Sequence, residues 1–199
     1  MNIVRYPHPA LRHRARPLTA IDKQVRLQAA QMLELMYAAR GVGLAGNQVA
    51  WPYQLFVMNP KADPAQKEHE HVLINPVIVE RRGSVEGEEG CLSFPGLYQR
   101  VRRAKWVKVQ AYNTEGQLVE YLTNQLPAEV SELTTRILQH EIDHLEGILF
   151  IDKLGPVARL AARTKVKDFE REFRRAQERG EIPPDAELEK QLAGGAVEL

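Results

Sequence analysis

The stretch that most constrains this chain is His140-Glu141-Ile142-Asp143-His144. On an α-helix, positions four apart share a face, so His140 and His144 can present two imidazoles to one metal ion. Glu141 stands beside them, where a carboxylate can reach a water on that ion. Leu133 and Ile137 extend the same face, running into the two histidines at spacings of four, three and four. Both histidines therefore lie on a face that is otherwise apolar and should be covered. Two buried histidines without partners would be costly, whereas a metal satisfies both. The five residues alone allow a metal-hydrolase helix or a surface helix with two histidines; the apolar flank favours the first.

The rest of the chain sets bounds. Its 199 residues suit one domain with a tail. A formal net charge of +1 gives no global basic field, so no direct DNA role is expected. No apolar run approaches a membrane span. The first residues carry charges but no apolar h-region, so a secretory signal is not expected. Cys91 is the only cysteine, which rules out an intrachain disulfide and suits a reducing compartment.

Periodicity places the elements. An apolar stripe of Val25, Ala29, Met32 and Met36 predicts a helix over 21–39, capped by Thr19 or Asp22. A loop of small residues follows at 41–48, then a strand at 54–59 and a polar loop at 60–71. Residues 72–80 read as extended segments interrupted by Asn75-Pro76. Alternation at 106–112, a turn at 113–116 and a returning strand at 118–126 read as a hairpin. The histidine helix starts after Pro127. A further helix is expected over 156–180, with Val166, Phe169 and Phe173 as its apolar stripe, and the residues after 184 should be loosely held.

A catalytic site of this kind needs a third protein ligand and an open position. The extended protease pattern requires a histidine at position 150, where this chain has Phe150. A carboxylate from a later helix, Glu170 or Glu172, is an alternative, as are His69 and His71 in a polar loop. Cys91 has the better surroundings, because Gly87 and Gly90 let the backbone approach closely and a thiolate is a strong soft ligand.

Three motifs occur in order: G-x-G-L-A-x-x-Q at 41–48, E-G-C-L-S at 89–93 and H-E-x-D-H at 140–144. Together they resemble the peptide deformylase family, over most of the chain from Ile3 to about Leu154. One departure is Gly46, where the family usually has Ala; with small size kept, only a looser loop is expected.

The resemblance implies removal of the formyl group from the N-formylmethionine of nascent polypeptides, with formate released. It implies Cys91, His140 and His144 as ligands of one divalent ion, usually Fe2+, with Zn2+, Ni2+ or Co2+ able to substitute. Water held there would attack with Glu141 as general base, and Gln48 with the Leu92 backbone N–H would steady the oxyanion. Val42, Leu44, Leu133 and Ile137 are candidates for the methionine pocket, and Gly43 and Gly90 for backbone pairing with an extended substrate. Asp143 should have a buried partner, for which Arg103 is the candidate. The basic residues Arg159, Arg163, Lys165 and Lys167 suggest ribosome contact through the C-terminal helix. The expected fold is α+β: antiparallel sheets and a hairpin around a central metal-binding helix, with an N-terminal and a C-terminal helix. The expected division is a catalytic part, 1–155, and a C-terminal helix and tail, 156–199, in a monomeric protein of the bacterial cytoplasm with no membrane role.

Overall fold

The computed structural model describes residues 1–194. Helix α1 (Lys23–Ala38) starts where Asp22 Oδ1 accepts the Val25 N–H at 2.9 Å, a side-chain cap for a free helix donor. Its stripe of Val25, Ala29, Met32 and Met36 is buried as the spacing predicts. The stripe packs on strands β1 (Gly43–Ala45) and β2 (Leu55–Met58), against Leu44, Leu55 and Val57.

Strand β2 is buried at every position, because the other face of its sheet carries the histidine helix. Strand β3 (His71–Arg82) pairs with β2 on one side and with β6 (Trp106–Tyr112) on the other. The Asn75-Pro76 interruption is a register shift within β3 rather than a break. Asn75 has a positive φ of 49°, and its side chain bonds both the N–H and the C=O of Leu18 at 2.8 Å. Strand β7 (Leu118–Leu122) completes an antiparallel sheet of order β1-β2-β3-β6-β7. It ends before 126 because Thr123 leaves the ladder and its Oγ1 accepts the Val107 N–H at 3.1 Å.

Helix α2 (Ala128–Leu145) follows Pro127 as expected and lies across this sheet. Ile137, Leu138, Ile142 and Leu145 join Phe56, Met58, Leu73, Val107 and Val109 in one core. Two further strands, β4 (Val85–Gly90) and β5 (Tyr98–Arg103), form a separate two-stranded sheet. These strands carry no apolar alternation. Their match is electrostatic: Glu86 stands opposite Arg102, Glu88 opposite Arg100, and Arg100 Nε lies 3.4 Å from Glu86.

Helix α3 (Pro156–Glu178) packs back on the start of the chain. Phe169 meets Phe94 edge-on in a core that includes Leu11, Leu149 and Phe150, and Tyr6 donates to Glu170 at 3.1 Å. The segment after 184 is not loose as expected: it forms α4 (Asp185–Gly194) with Leu188 and Leu192 buried. Arg16 Nη2 donates to the Leu192 carbonyl at 3.2 Å and ties this helix to the N-terminal segment. Residues 195–199, also expected to be loose, lie outside the described residues. Gly46 likewise corrects the expectation of a looser loop. It is buried, and a β-carbon there would stand 2.6 Å from the Trp51 carbonyl oxygen and 2.9 Å from that of Tyr53. The loop has closed onto the missing side chain.

Candidate metal centre

The three motifs meet at one cavity of about 550 Å³. Helix α2 supplies His140, Glu141 and His144; the end of β4 delivers Cys91; and the short 3-10 turn after β1 delivers Gln48. One donor atom from each of Cys91, His140 and His144 lies within 4.8 Å of the others, and Cys91 Sγ stands 3.3 Å from His144 Nε2. Among the described residues no other group of three such side chains comes together. A thiolate at ~2.3 Å and an imidazole at ~2.1 Å from one ion, at a tetrahedral angle, would stand ~3.6 Å apart. The observed separation suits that arrangement.

The electrostatics fit a cation as well. Burial acts to lower the pKa of His140, but its hydrogen bonds to Cys91 and Glu89 outweigh this and push it up to about 10. His144 is driven well below its usual value by burial and by the charge on His140. The two shifts run in opposite directions: the site holds one positive charge, on His140 beside Glu89 and Cys91, and keeps His144 neutral, the form in which an imidazole can ligate. The donor set therefore fits a single transition-metal ion with three protein ligands.

Glu89 is the residue that sequence reasoning passed over. Its side chain is almost wholly buried and meets three partners. Arg103 donates through Nε at 2.7 Å and Nη2 at 2.8 Å, Arg136 Nη1 donates at 2.9 Å, and His140 Nδ1 lies 3.1 Å away. Burial would raise its pKa, yet Arg103 and His140 hold it far below the usual carboxylate range. Its contact with Nδ1 orients the His140 ring and would leave Nε2 as the atom available to an ion. Its signal in the sequence is an acid directly before Gly90-Cys91, inside the second motif. Arg103 also pairs with Asp143, as expected, and Lys153 Nζ joins Asp143 at 3.2 Å. Glu89→Gln should leave guanidinium groups buried and short of charge, costing about 3–5 kcal/mol of stability. It should also weaken metal affinity about 10- to 100-fold. Thermal melts and chelator competition measure the two effects; unchanged affinity would reduce Glu89 to a folding role.

Glu141 is buried beside Gly43, where a β-carbon would collide with its carboxylate. Its Oε2 has no hydrogen-bond partner among the described residues. Burial pushes its pKa up to about 7. The Gln48 amide is oriented by the Ala45 N–H, which donates to Oε1 at 2.8 Å. Its Nε2 then faces Cys91 Sγ and Ser93 Oγ, both at 3.3 Å.

Of the remaining sequence candidates, Val42, Gly43, Gly90, Leu92, Leu133 and Ile137 all line the cavity. Leu44 does not: it is fully buried against α1 and belongs to the core. In a strand, neighbouring side chains point to opposite faces, so Leu44 turns away from the site that Gly43 adjoins. The alternative third ligands lie elsewhere. Glu170 accepts from Tyr6, Glu172 is exposed on α3, and His71 Nδ1 stands 3.3 Å from Tyr121 Oη on the large sheet.

Residues 1–160 match the family model described as polypeptide deformylase. A peptide deformylase of Rhodopirellula baltica is 36% identical over 193 residues, covering 97% of this chain and 92% of that protein. One from Nitrosococcus oceani is 43% identical over 171 residues, covering 86% and 96%. Among solved structures, peptide deformylase 1B of Arabidopsis thaliana superposes with a TM-score of 0.81 at 35% identity, covering 92% of this chain and 96% of that one.

Proposed function

This chain belongs to the polypeptide deformylase family, and from that premise we propose how its own residues divide the work of hydrolysing the formyl group from N-formylmethionine. The observation that carries the assignment of roles is the meeting of Cys91, His140 and His144 within 4.8 Å, beside a buried Glu141 with a free carboxylate oxygen.

Cys91, His140 and His144 hold one divalent ion, for which we propose Fe2+, with Zn2+, Ni2+ or Co2+ able to substitute. When bound, the ion supplies a Lewis acid that makes hydroxide available near neutral pH. Glu141 Oε2, unclaimed by any described group, takes the proton from the attacking water and later returns it to the departing amine. Burial raises the pKa of this carboxyl, which helps it return the proton it has taken. As the formyl carbon becomes tetrahedral, negative charge develops on its oxygen. Gln48 Nε2 is aimed into this space, and the sulfur it faces is a weak acceptor that it can give up for an oxyanion. The Leu92 backbone N–H, directly after Cys91 on the cavity wall, is the second donor.

Gly43 and Gly90 belong to β1 and β4, each at the edge of its sheet, so an extended peptide can add between them. Val42, Leu133 and Ile137 then form the apolar wall for the methionine side chain. We keep 1–155 as the catalytic part and 156–199 as helix and tail, since every assigned ligand and donor precedes 155. On α3, Arg159, Arg163, Lys165 and Lys167 are exposed beside Val157 and Leu160, at 84% and 69% exposure. This surface is our candidate for ribosome contact by a monomer in the bacterial cytoplasm. No helix of the described residues is long and apolar enough to cross a membrane.

The direct test is formate release from a formyl-Met-Ala peptide by protein reconstituted with Fe2+, Ni2+ or Co2+. Formate should appear in step with a new free amino terminus. No release with any of the three ions would overturn the assignment.

A further inference from the structure

The mouth of the catalytic cavity carries two arginines that the chemistry at its floor does not use. Arg5 and Arg40 both line the cavity and both are exposed, so each can meet whatever enters from solvent. Neither side chain makes a hydrogen bond or an ion pair among the described residues. The chain around them explains where they stand. The N–H groups of Val4 and Tyr6 donate to the Gln48 and Ser93 carbonyls at 2.8 and 3.0 Å, and both side chains pack on the core around Leu11 and Phe94. Alternate side chains of an extended segment face opposite ways, so Ile3 and Arg5 turn to the cavity instead. Arg40 stands in the turn after α1 at a φ of 57°, three residues before Gly43. The exposed acid on the cavity wall, Glu88, faces Arg100 across the β4–β5 ladder and so has an opposite charge beside it.

We propose that Arg5 and Arg40 are specificity-determining residues that favour formyl-peptides with an acidic side chain at the second or third position. The inference rests on the reading that an extended substrate adds along the edge of β1. Glu141 abuts Gly43, which marks the reacting end. In one direction from Gly43 the chain runs into the buried turn Gly46–Val49, so the peptide leaves in the other, towards Arg40. The three residues from Gly43 back to Arg40 span at most ~11 Å, the reach of three residues of an extended peptide. A substrate with its formyl carbon beside Glu141 therefore carries its second and third side chains out past the arginines. A carboxylate there meets two cations that have no ion pair to give up, and a lysine there meets like charge.

The test measures kcat and KM on the metal-loaded enzyme for formyl-Met-X-Ala and formyl-Met-Ala-X amides, with X as aspartate, asparagine or lysine. The amide removes the terminal carboxylate, which would otherwise give every peptide the same charge. At low salt the aspartate-to-lysine ratio of kcat/KM should reach about threefold or more at one of the two positions, carried by KM. A smaller ratio at both positions overturns the proposal. The preference should vanish at about 1 M salt, where the screening length is ~3 Å. A preference that survives the salt belongs to packing rather than charge, and it overturns the proposal too. In the double variant Arg5→Glu with Arg40→Glu the ratio should fall by about threefold or more, and a smaller fall is again a refutation. Should that variant not fold, the salt dependence of the wild type decides alone. The asparagine peptides keep the two readings apart. No formate from any peptide strikes at the proposed function, whereas equal rates from all three strike only at this inference.

Discussion

Glu141→Gln is expected to lower formyl-peptide turnover by about two to four orders of magnitude while the bound ion stays in place. The carboxylate is the only acid on the cavity wall with a buried, unpartnered oxygen among the described residues. Glutamine keeps its volume and fits the same space against Gly43, so packing is conserved and only proton transfer is lost. Formate release and metal content, measured on the same sample, separate the effects. Loss of the ion would make Glu141 a ligand rather than a base. Retained turnover would move the base to another residue.

Cys91→Ala should have an effect at least as large, for a different reason. It removes one of the three proposed ligands and leaves two imidazoles on one helix with an open side. Metal affinity should fall by more than the ~100-fold that loss of an orienting partner costs, and turnover should fall with it. The side chain is partly buried beside Gln48 and His144, so the missing sulfur leaves a small gap rather than an unfolded chain. Full metal occupancy with full activity in this variant would mean that the third ligand lies elsewhere and would sink the roles assigned here.

The sequence exposed those elements whose formation is driven by apolar periodicity. The stripe of α1, the alternation of β6 and the four-three-four run into His144 each record a face buried against a single partner. Cys91 was legible because two glycines and a motif surround it. The β4–β5 sheet was not, because its strands are matched by charge, and a run of Glu, Gly and Arg has no apolar period to read. Helix α4 was missed for a related reason: its buried face is just Leu188 and Leu192, one pair in a polar stretch. The misplacement of Leu44 shows the limit of residue type. Apolar character places a side chain away from water, and only the strand's pleat says on which face. Glu89 and Arg136 were illegible singly, since each is explained by a partner far off in the chain.

The way α3 and α4 return to the first residues bears on how the protein itself is made. Val4 and Tyr6 are pinned by backbone bonds to Gln48 and Ser93, Tyr6 reaches Glu170, and Arg16 holds the carbonyl of Leu192. Synthesis runs from the N-terminus, so Tyr6 and Arg16 find these last partners only when Glu170 and Leu192 emerge. The core around Leu11 and Phe94 stays open until Phe169 arrives. The bonds of Val4 and Tyr6 to Gln48 and Ser93 have their partners early, whereas those of Tyr6 to Glu170 and Arg16 to Leu192 must wait until α3 and α4 have been made.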